Sequence, residues 1–467
     1  MAIKTTVKPV PRAPKSPHGL WSTTGVFALA SMGYVVGLNN IWQFPYHAAQ
    51  YGGGAFVFFY VLFLGLLGLP LMMAQVMLGR LVRMSPVNTV ATLVKRHRLS
   101  PRWVGFGWLA VVTGFLVLSY FSVIAGWTVA YVVRALSGTL YGLTSDGAGA
   151  VFSSLVRDPE KQLFWHSLFI IMTLLVVARG VRHGLEPVMR YAVPLMLGLF
   201  VVLMIYSSSV GALAQAAGVL LVPDFNRLTG DGILTALGDA FFSLGLGTGV
   251  MMMYGAYLPA HASVARVSAL VVGADILVGI LAGFVVLPLL FDAGSDLVGG
   301  AELVFQAVAV AFDPLPLGGM LRVLFFILLA LVAWLSAIAL IEPLVAWLVE
   351  SREISRARAV LYCGGVLWLL GLMMILSFNY WKFSFSVLGQ TKSLGLLDIL
   401  VILTSNVMLP ITAILSSLFA GWALTSAMTQ EAMALRSPCT YDIWLWLVRV
   451  VVPLSLLLVL FNMRLFL

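Results

Sequence analysis

The stretch Gly33-Tyr-Val-Val-Gly-Leu-Asn-Asn-Ile-Trp-Gln-Phe-Pro45 lies inside the first long apolar segment of the chain and decides its fold. A helix that crosses a bilayer normally satisfies its backbone amides and carbonyls within its own hydrogen bonds. Gly33 and Gly37 weaken a helix, and the adjacent pair Asn39 and Asn40 also disfavours one. The stretch therefore predicts a helix that is broken near the middle of a membrane, where free backbone groups can hold ions.

The composition is typical of a protein surrounded by lipid. Hydrophobic residues make up 61% of the 467 residues and charged residues only 10%, and the mean hydropathy is +1.03. These values exclude a soluble protein built around one aqueous-facing core. About eleven apolar segments have the length of roughly 18 residues or more that a span requires. They lie near residues 20–46, 52–80, 103–137, 163–180, 186–213, 232–262, 264–291, 319–350, 356–377, 396–422 and 440–465.

Charge is distributed unevenly between the two sides of these segments. The net charge is +9, and the basic residues cluster near the N-terminus, between residues 80 and 102, and after the fourth, sixth and eighth segments. The intervening loops are predominantly acidic. The positive-inside rule therefore predicts a multi-pass protein of the inner (plasma) membrane with a cytoplasmic N-terminus. The basic balance reflects this topology and does not indicate binding to nucleic acid.

A second interruption mirrors the first. Gly245, Gly247 and Gly249 lie in the middle of the sixth segment, as far into a second set of five segments as the first break is into the first set. Small residues also let helices pack closely, which would be the simpler interpretation of these glycines if they stood alone. Paired interruptions at corresponding positions instead indicate a transporter of inverted repeats with its site between the breaks.

Further motifs support a family resemblance. Together with Tyr51-Gly-Gly-Gly-Ala-Phe56, Gly68-Leu-Pro-Leu71 and Gly79-Arg80, the first break resembles the signature of the neurotransmitter:sodium symporters, and the likeness covers the chain from Trp21 onward. The resemblance implies an all-α polytopic membrane protein of the bacterial eleven-span type, with a leucine-transporter-like fold. Two five-helix inverted repeats, with broken first and sixth helices, precede one additional helix. The divisions are a flexible cytoplasmic tail at 1–17, repeats at 18–213 and 232–422, and the additional helix at 440–467.

The resemblance also implies transport and not catalysis. It favours Na+-coupled symport of a small amino acid or a related amine-bearing solute by alternating access. The six histidines are scattered and no H-E-x-x-H motif occurs, so nothing in the sequence favours an enzyme. The expected partners are a small-molecule substrate and the lipid bilayer, with no nucleic acid and no obligate protein partner. A receptor or channel remains open on motifs alone.

By resemblance, the first sodium site uses the carbonyl of Val35 and the side chains of Asn40, Ser243 and Asp275. Asp275 departs from the family's usual asparagine. A carboxylate inside a span costs roughly 2.5 kcal/mol or more on insertion scales, so a functional role is favoured over a protonated acid bonded to a neighbouring helix. Gly279 stands where relatives place a glutamate or a chloride-binding serine, so Asp275 would supply that negative charge. Na+ is therefore the expected cofactor and chloride is not.

The second sodium site is expected to be weak. By resemblance it requires carbonyls of Gly33, Val36 and Val332 and hydroxyls from two adjacent residues of the eighth span. Those residues are Leu335 and Ser336, and leucine offers no oxygen. Either the site is too weak for sodium or a water molecule replaces the missing ligand.

Substrate recognition departs from the family as well. The tyrosine that holds the substrate carboxylate in relatives aligns with Phe121, although Tyr120 is adjacent. Either the amides of the first break and Asn39 suffice or the substrate lacks a conventional α-carboxylate. Phe121 could also be simply a conservative aromatic residue in a packed helix. The small residues Gly245 and Thr248 predict room for a moderately sized or partly polar side group. The expected substrate-binding residues are Tyr34, Gly37, Leu38, Asn39, Val117, Phe121, Phe242, Gly245, Thr248, Ser336 and Leu340.

The charged outer gate of the family is neutralised here. Gln43, Val401 and Gln75 stand at its three aligned positions. Removing one member of a buried ion pair would cost about 3–5 kcal/mol, so loss of all the charges together is physically coherent. Asp239 is expected to face the outer vestibule, where it either attracts a cationic substrate or is simply a solvated helix-end carboxylate.

The inner gate is partly retained. Trp21, Tyr257 and Glu350 match the family's cytoplasmic latch, whereas His18 replaces its usual arginine. Histidine changes charge near neutral pH, so a contact between His18 and Glu350 would be pH-sensitive. The alternative is a solvated histidine in a mobile tail.

A competing mechanism also remains open. Burial disfavours the charged form of a carboxylate, whereas a bound cation favours it. Asp275 could therefore titrate in a proton-coupled or Na+-independent carrier of a non-standard, even non-carboxylate, substrate.

Overall fold

The computed structural model describes residues 16–209, 212–292, 299–387, 390–435 and 437–461. Most of the predicted N-terminal tail, residues 1–15, and the last six residues of the predicted final helix lie outside these ranges. Within them, nine continuous helices are long and apolar enough to cross a membrane. These helices, called spans 2–5 and 7–11, are Gly54–Val82, Pro101–Leu136, Pro159–Ala178, Val181–Ser208, Val264–Asp292, Gly318–Arg352, Arg356–Phe378, Leu396–Ala423 and Pro438–Phe461.

Span 1 is broken where the sequence predicts. Its inner half is Thr24–Val35 and its outer half is Asn39–Gln50, and the two halves meet at 58°. The Thr23 hydroxyl accepts a hydrogen bond from Val26 N at 3.2 Å and caps the inner half. The break leaves the peptide groups between the halves outside any regular helix, which is the arrangement that ion and substrate binding require.

Span 6 is broken as well. Its halves are Gly230–Ser243 and Val250–Ala256. Between them Gly245, Gly247 and Gly249 have φ of +59°, +112° and +79°. These values cost little only for glycine, because a Cβ would clash with the neighbouring carbonyl. Counting the bent pair of span 1 as one span gives up to ten candidate spans among the described residues. The broken span 6 corresponds to the remaining predicted segment, and the fold class is confirmed.

Several elements connect the spans. Helices outside the membrane-spanning set include Pro86–His97, Ser145–Val156, Leu213–Leu221, the consecutive short helices Leu303–Ala307 and Val308–Ala311, and Ser426–Met433. A two-stranded antiparallel hairpin, Lys382–Val387 with Gln390–Gly395, lies between spans 9 and 10 and was not part of the all-α prediction. The alternation of polar and apolar residues in Lys382-Phe-Ser-Phe-Ser-Val387 is a strand pattern that could have revealed it.

Glycines bring the inner half of span 6 against span 2. A Cβ built on Gly79 of span 2 would lie 1.8 Å from the Met252 carbonyl oxygen. A Cβ on Gly255 of span 6 would lie 2.4 Å from the Val76 carbonyl oxygen. The two backbones therefore touch, and each supplies the glycine that the other needs.

Candidate functional site

The two breaks meet at the side chain of Tyr34. Its hydroxyl donates a hydrogen bond to the Gly245 carbonyl at 2.7 Å and lies 2.6 Å from the Thr248 hydroxyl. A Cβ built on Gly245 would lie only 2.2 Å from that phenolic oxygen. The phenol of Tyr34 therefore occupies the space beside Gly245 and Thr248 where the sequence predicts room for a moderately sized substrate group.

A fully buried carboxylate lies beside this junction. Asp275 of span 7 is 0% exposed. Its Oδ1 accepts a hydrogen bond from Asn40 Nδ2 at 2.9 Å, and its Oδ2 accepts bonds from the Tyr60 hydroxyl at 2.8 Å and from the Ser243 hydroxyl. Side chains of spans 1, 2, 6 and 7 thus converge on one carboxylate, including three of the four residues expected to form the first sodium site.

The chemistry of this cluster suits a small hard cation. Amide, hydroxyl and carboxylate oxygens are the ligands that such ions prefer. Val35, whose carbonyl is the fourth expected ligand, is buried at the end of the inner half of span 1. The Asn40 Oδ1 accepts a hydrogen bond from Gly37 N at 3.1 Å. One side chain therefore connects the carboxylate with an amide of the break that is expected to bind substrate.

Tyr60 is a member of this cluster that the sequence analysis did not identify. Besides its bond to Asp275, its hydroxyl lies 3.0 Å from the Ser243 hydroxyl. A lone hydroxyl in the apolar run Phe56-Val-Phe-Phe-Tyr60-Val-Leu-Phe63 of span 2 was the available signal. The Phe44 ring packs 4.9 Å from the Tyr60 ring and faces Gly279, whose Cβ would lie 3.6 Å from it. An aromatic ring thus borders the position where relatives place a chloride-binding group.

The expected second sodium site is poor in oxygen. The Ser336 hydroxyl lies 3.2 Å from the carbonyl oxygens of both Tyr34 and Val332. The first-span carbonyl that it contacts is thus that of Tyr34, and not one of those expected at Gly33 and Val36. The Leu335 side chain is fully buried, and its Cβ lies 3.5 Å from a Cβ built on Gly33. Apolar contact between spans 1 and 8 takes the place of the missing hydroxyl.

The remaining residues expected to bind substrate differ in burial and in hydrogen bonding. Leu38 and Leu340 are buried, whereas Val117, Phe121 and Phe242 are half-buried. The hydroxyl of Tyr120, the neighbour of Phe121, lies 3.4 Å from the Ser405 hydroxyl of span 10. The exposed Asn39 side chain accepts a hydrogen bond from Trp42 Nε1 at 3.1 Å. The structure therefore directs Tyr120 towards span 10 and Asn39 towards its own helix.

Asp239 belongs to a polar cluster at the outer end of the site. Its Oδ2 lies 2.7 Å from His47 Nδ1, and the side chains of His47 and Asp239 are 13% and 18% exposed. Gln43 Nε2 lies 3.4 Å from His47 Nε2. The interpretation of Asp239 as a solvated helix-end carboxylate is wrong, because it lies inside Gly230–Ser243 and pairs with a histidine. His47, which follows Gln43 by one helical turn, is a partner that the sequence analysis did not assign.

These outer residues line a cavity of about 140 Å³. Its walls are Gln43, His47, Tyr51, Thr235, Gly238, Asp239 and Phe242. The other two outer-gate candidates lie apart from this lining. Gln75 is buried and donates to the Ser416 hydroxyl of span 10 at 3.2 Å. Val401 is half-buried in the first turns of span 10. The four expected gate residues therefore do not form one cluster.

At the expected inner gate, His18 Nε2 lies 2.8 Å from Glu350 Oε1, with side chains only 3% and 1% exposed. The alternative of a solvated tail histidine is therefore wrong. Glu350 also accepts hydrogen bonds from Ser85 N at 2.8 Å and Asn88 Nδ2 at 2.7 Å, two partners that the sequence analysis missed. The buried carboxylate is thus satisfied by His18, which precedes span 1, and by two residues at the start of the helix Pro86–His97.

Trp21 completes the contact at the expected inner gate. Its backbone N–H donates to the Tyr257 carbonyl at 3.0 Å, and its ring packs edge-on against Tyr254 and Tyr257. The Tyr257 hydroxyl donates to Glu342 Oε1 at 2.7 Å, and Glu342 in turn pairs with Arg356. The inner half of span 1 is thus held against spans 6 and 8 in this structure.

Two broken spans that meet beside a buried carboxylate, within a bundle of apolar helices, define a secondary transporter of the inverted-repeat class. A family model described as the sodium:neurotransmitter symporter family matches residues 18–144 and 160–465. The chain belongs to this family, as its motifs predicted. The family is one of transporters, not enzymes, and its members bind small-molecule substrates.

Individual relatives match over nearly their whole length. The chain is 34% identical over 448 residues to YhdH, an uncharacterised sodium-dependent transporter of Bacillus subtilis, covering 95% of this chain and 97% of the relative. It is 29% identical over 462 residues to an uncharacterised sodium-dependent transporter of Methanocaldococcus jannaschii, with coverage of 94% and 89%. The crystal structure of MhsT in complex with L-phenylalanine matches with a TM-score of 0.85 and 32% identity, over 95% of this chain and 99% of that one.

Proposed function

We propose that this protein is a Na+-coupled symporter of a small amino acid or a related amine-bearing solute, and that it works by alternating access. The observation that carries the proposal is the convergence of Asn40, Tyr60 and Ser243 on the buried Asp275 carboxylate, directly beside the two breaks. The sodium dependence named for its relatives and the amino acid bound to MhsT support the same conclusion.

In this proposal the first cation site consists of the Val35 carbonyl and the side chains of Asn40, Ser243 and Asp275. Bound Na+ supplies positive charge that neutralises a carboxylate far from water. Tyr60 holds that carboxylate in place through its hydrogen bond of 2.8 Å. Each charge that moves inward gains about 2.3 kcal/mol per 100 mV of membrane potential, which drives uptake.

The substrate would bind between the breaks, with the free amides from Gly37 to Asn39 facing its carboxylate. Asn40 contacts both Gly37 N and Asp275, so the ion and substrate sites share one residue. Phe44 borders Gly279 and supports a chloride-independent cycle. The basic loops support a plasma-membrane location with the N-terminus in the cytoplasm.

Ligand-dependent thermal unfolding of the purified full chain tests the proposal. The protein is screened against the twenty amino acids and small amines in Na+ and in K+ buffer at two pH values. A ligand that binds the native state adds about 2.7 kcal/mol of stability at 100 times its Kd. We expect stabilisation by small amino acids in Na+ and none in K+. Stabilisation that is equal in the two buffers would refute sodium coupling.

Asp275→Asn separates this mechanism from its competitor. The half-maximal Na+ concentration is expected to rise by at least about tenfold, which corresponds to about 1.4 kcal/mol. Asp146→Asn is the matched control, because Asp146 is exposed at the start of the helix Ser145–Val156. Its sodium response should equal that of the wild type.

A second candidate is proton-coupled or Na+-independent transport with Asp275 as the titrating group. It is favoured by the absence of any cationic side chain paired with Asp275 among the residues described, because a buried carboxylate needs neutralisation. In that case ligand binding depends on pH and not on Na+, and Asp275→Asn abolishes the pH dependence. Uptake into proteoliposomes under separate Na+ and pH gradients distinguishes the two mechanisms.

A further inference from the structure

We infer that Tyr34 determines substrate size: its phenol fills the space between the two breaks and restricts the site to amino acids with very small side chains. The inference rests on the proposed function, because it assumes that the breaks bind an amino acid. It narrows the substrate class to glycine, alanine, serine and amine-bearing solutes of similar size.

The position of Tyr34 is the first step. It lies in the last turn of the inner half of span 1, immediately before the break, and it contacts Gly245 and Thr248 within the break of span 6. The place where two interrupted spans cross is where this architecture binds its substrate. The phenol therefore occupies the centre of the expected pocket and not its periphery.

The second step is that the phenol is held firmly. Its hydroxyl donates to the Gly245 carbonyl at 2.7 Å and lies 2.6 Å from Thr248 Oγ1, and the residue is only 6% exposed. Moving the ring away would break both of these contacts, although the Gly245 carbonyl would still accept the bond that Thr248 Oγ1 donates at 3.0 Å. A typical hydrogen bond contributes about 0.5–1.5 kcal/mol. Displacement of the ring by a bulky substrate is thus opposed by these bonds.

The third step is the match between Tyr34 and Gly245. A Cβ at position 245 would lie 2.2 Å from the phenolic oxygen and 2.7 Å from the ring carbon Cζ. The missing side chain of Gly245 leaves space that the Tyr34 ring fills. The absence of a side chain at position 245 therefore gives no additional volume to the substrate. Phe121 and Val117, the expected pocket residues of span 3, are half-buried. A substrate side chain larger than a methyl or hydroxymethyl group would compete with the ring itself.

The test compares ligand selectivity in three forms of the full chain. Wild type, Tyr34→Ala and Tyr34→Phe are titrated with glycine, alanine, serine, leucine and phenylalanine in Na+ buffer, and Kd is measured by thermal unfolding. Wild type is expected to bind only the first three ligands. Tyr34→Ala should improve leucine relative to alanine by at least about tenfold, since one methylene in a pocket is already worth about 10–200-fold.

Tyr34→Phe distinguishes the volume that the Tyr34 ring occupies from the hydrogen bonds that its hydroxyl makes. The variant keeps the ring, so its preference for small ligands should persist while affinity for all of them falls. Tyr441→Ala is the matched control, because Tyr441 is a buried tyrosine of span 11 whose hydroxyl bonds to Thr429 and the Ser426 carbonyl. Its selectivity should equal that of the wild type.

The possible failures are distinguishable. If wild type binds leucine or phenylalanine as tightly as alanine in a Na+-dependent manner, the size restriction is wrong and the proposed function stands. The restriction is also wrong if Tyr34→Ala folds and retains wild-type selectivity. If no amino acid stabilises any form, the proposed function itself fails and the inference falls with it. The wild-type titration decides the matter even if Tyr34→Ala does not fold.

Discussion

Replacing Glu350 with glutamine tests whether the contact between His18 and Glu350 holds the expected inner gate shut. The carboxylate accepts hydrogen bonds from His18 Nε2, from Ser85 N and Oγ, and from Asn88 Nδ2, at distances of 2.6–2.8 Å. Hydrogen bonds to a charged group contribute about 1.5–3 kcal/mol each. Glutamine keeps one acceptor oxygen and directs an NH2 group at the other donors, so at least two bonds are lost.

The expected loss is therefore about 3 kcal/mol or more, which corresponds to a change of roughly 100-fold in the ratio of closed to open inner states. Hydrogen–deuterium exchange of the helix Thr24–Val35, followed by mass spectrometry, measures it. We expect faster exchange of the first turns in Glu350→Gln. Glu353→Gln is the control, because Glu353 is exposed three residues further on. If Glu350→Gln and Glu353→Gln exchange alike, the contact does not stabilise the closed inner side.

Three further substitutions address other parts of the site. His47→Ala should lower the free energy of unfolding by about 1–3 kcal/mol in the wild type, and by less in an Asp239→Asn background. A double-mutant cycle of thermal unfolding measures both losses, and strictly additive losses would argue against an interaction between His47 and Asp239. Gly79→Ala places a Cβ 1.8 Å from the Met252 carbonyl oxygen and should lower the free energy of unfolding by about 1–3 kcal/mol. A variant that melts at the same temperature as the wild type would contradict the close approach of the two helices. Leu335→Thr adds the missing hydroxyl of the second sodium site and should raise the Hill coefficient for Na+ in ligand binding; an unchanged coefficient would mean that another feature disables that site.

The fold was predictable from the sequence because the bilayer imposes strong local constraints. A span needs about twenty apolar residues, and a break in a span needs residues such as Gly37 or Gly245 that leave the helix at low cost. The role of Asp275 as a candidate site residue was visible for the same reason, since a carboxylate inside a span is costly. Each of these signals lies within one segment of the chain.

The pairings between segments were not predictable in the same way. Tyr60 reaches Asp275 across 215 residues of sequence, and His47 reaches Asp239 across 192. No local pattern records which hydroxyl meets which carboxylate. The phenol of Tyr34 shows the same limit: residue size at Gly245 predicted an open pocket, whereas a side chain from the other repeat fills it.

The mutual glycine contact between span 2 and the inner half of span 6 has a mechanical consequence. The helix Val250–Ala256 has only seven residues and is too short to act as an independent lever. Backbones in direct contact cannot slide past each other without a clash, so a tilt of this short helix must carry span 2 with it. We therefore expect the two helices to move together, with any bending at the glycines of the span 6 break and not at the interface between the spans.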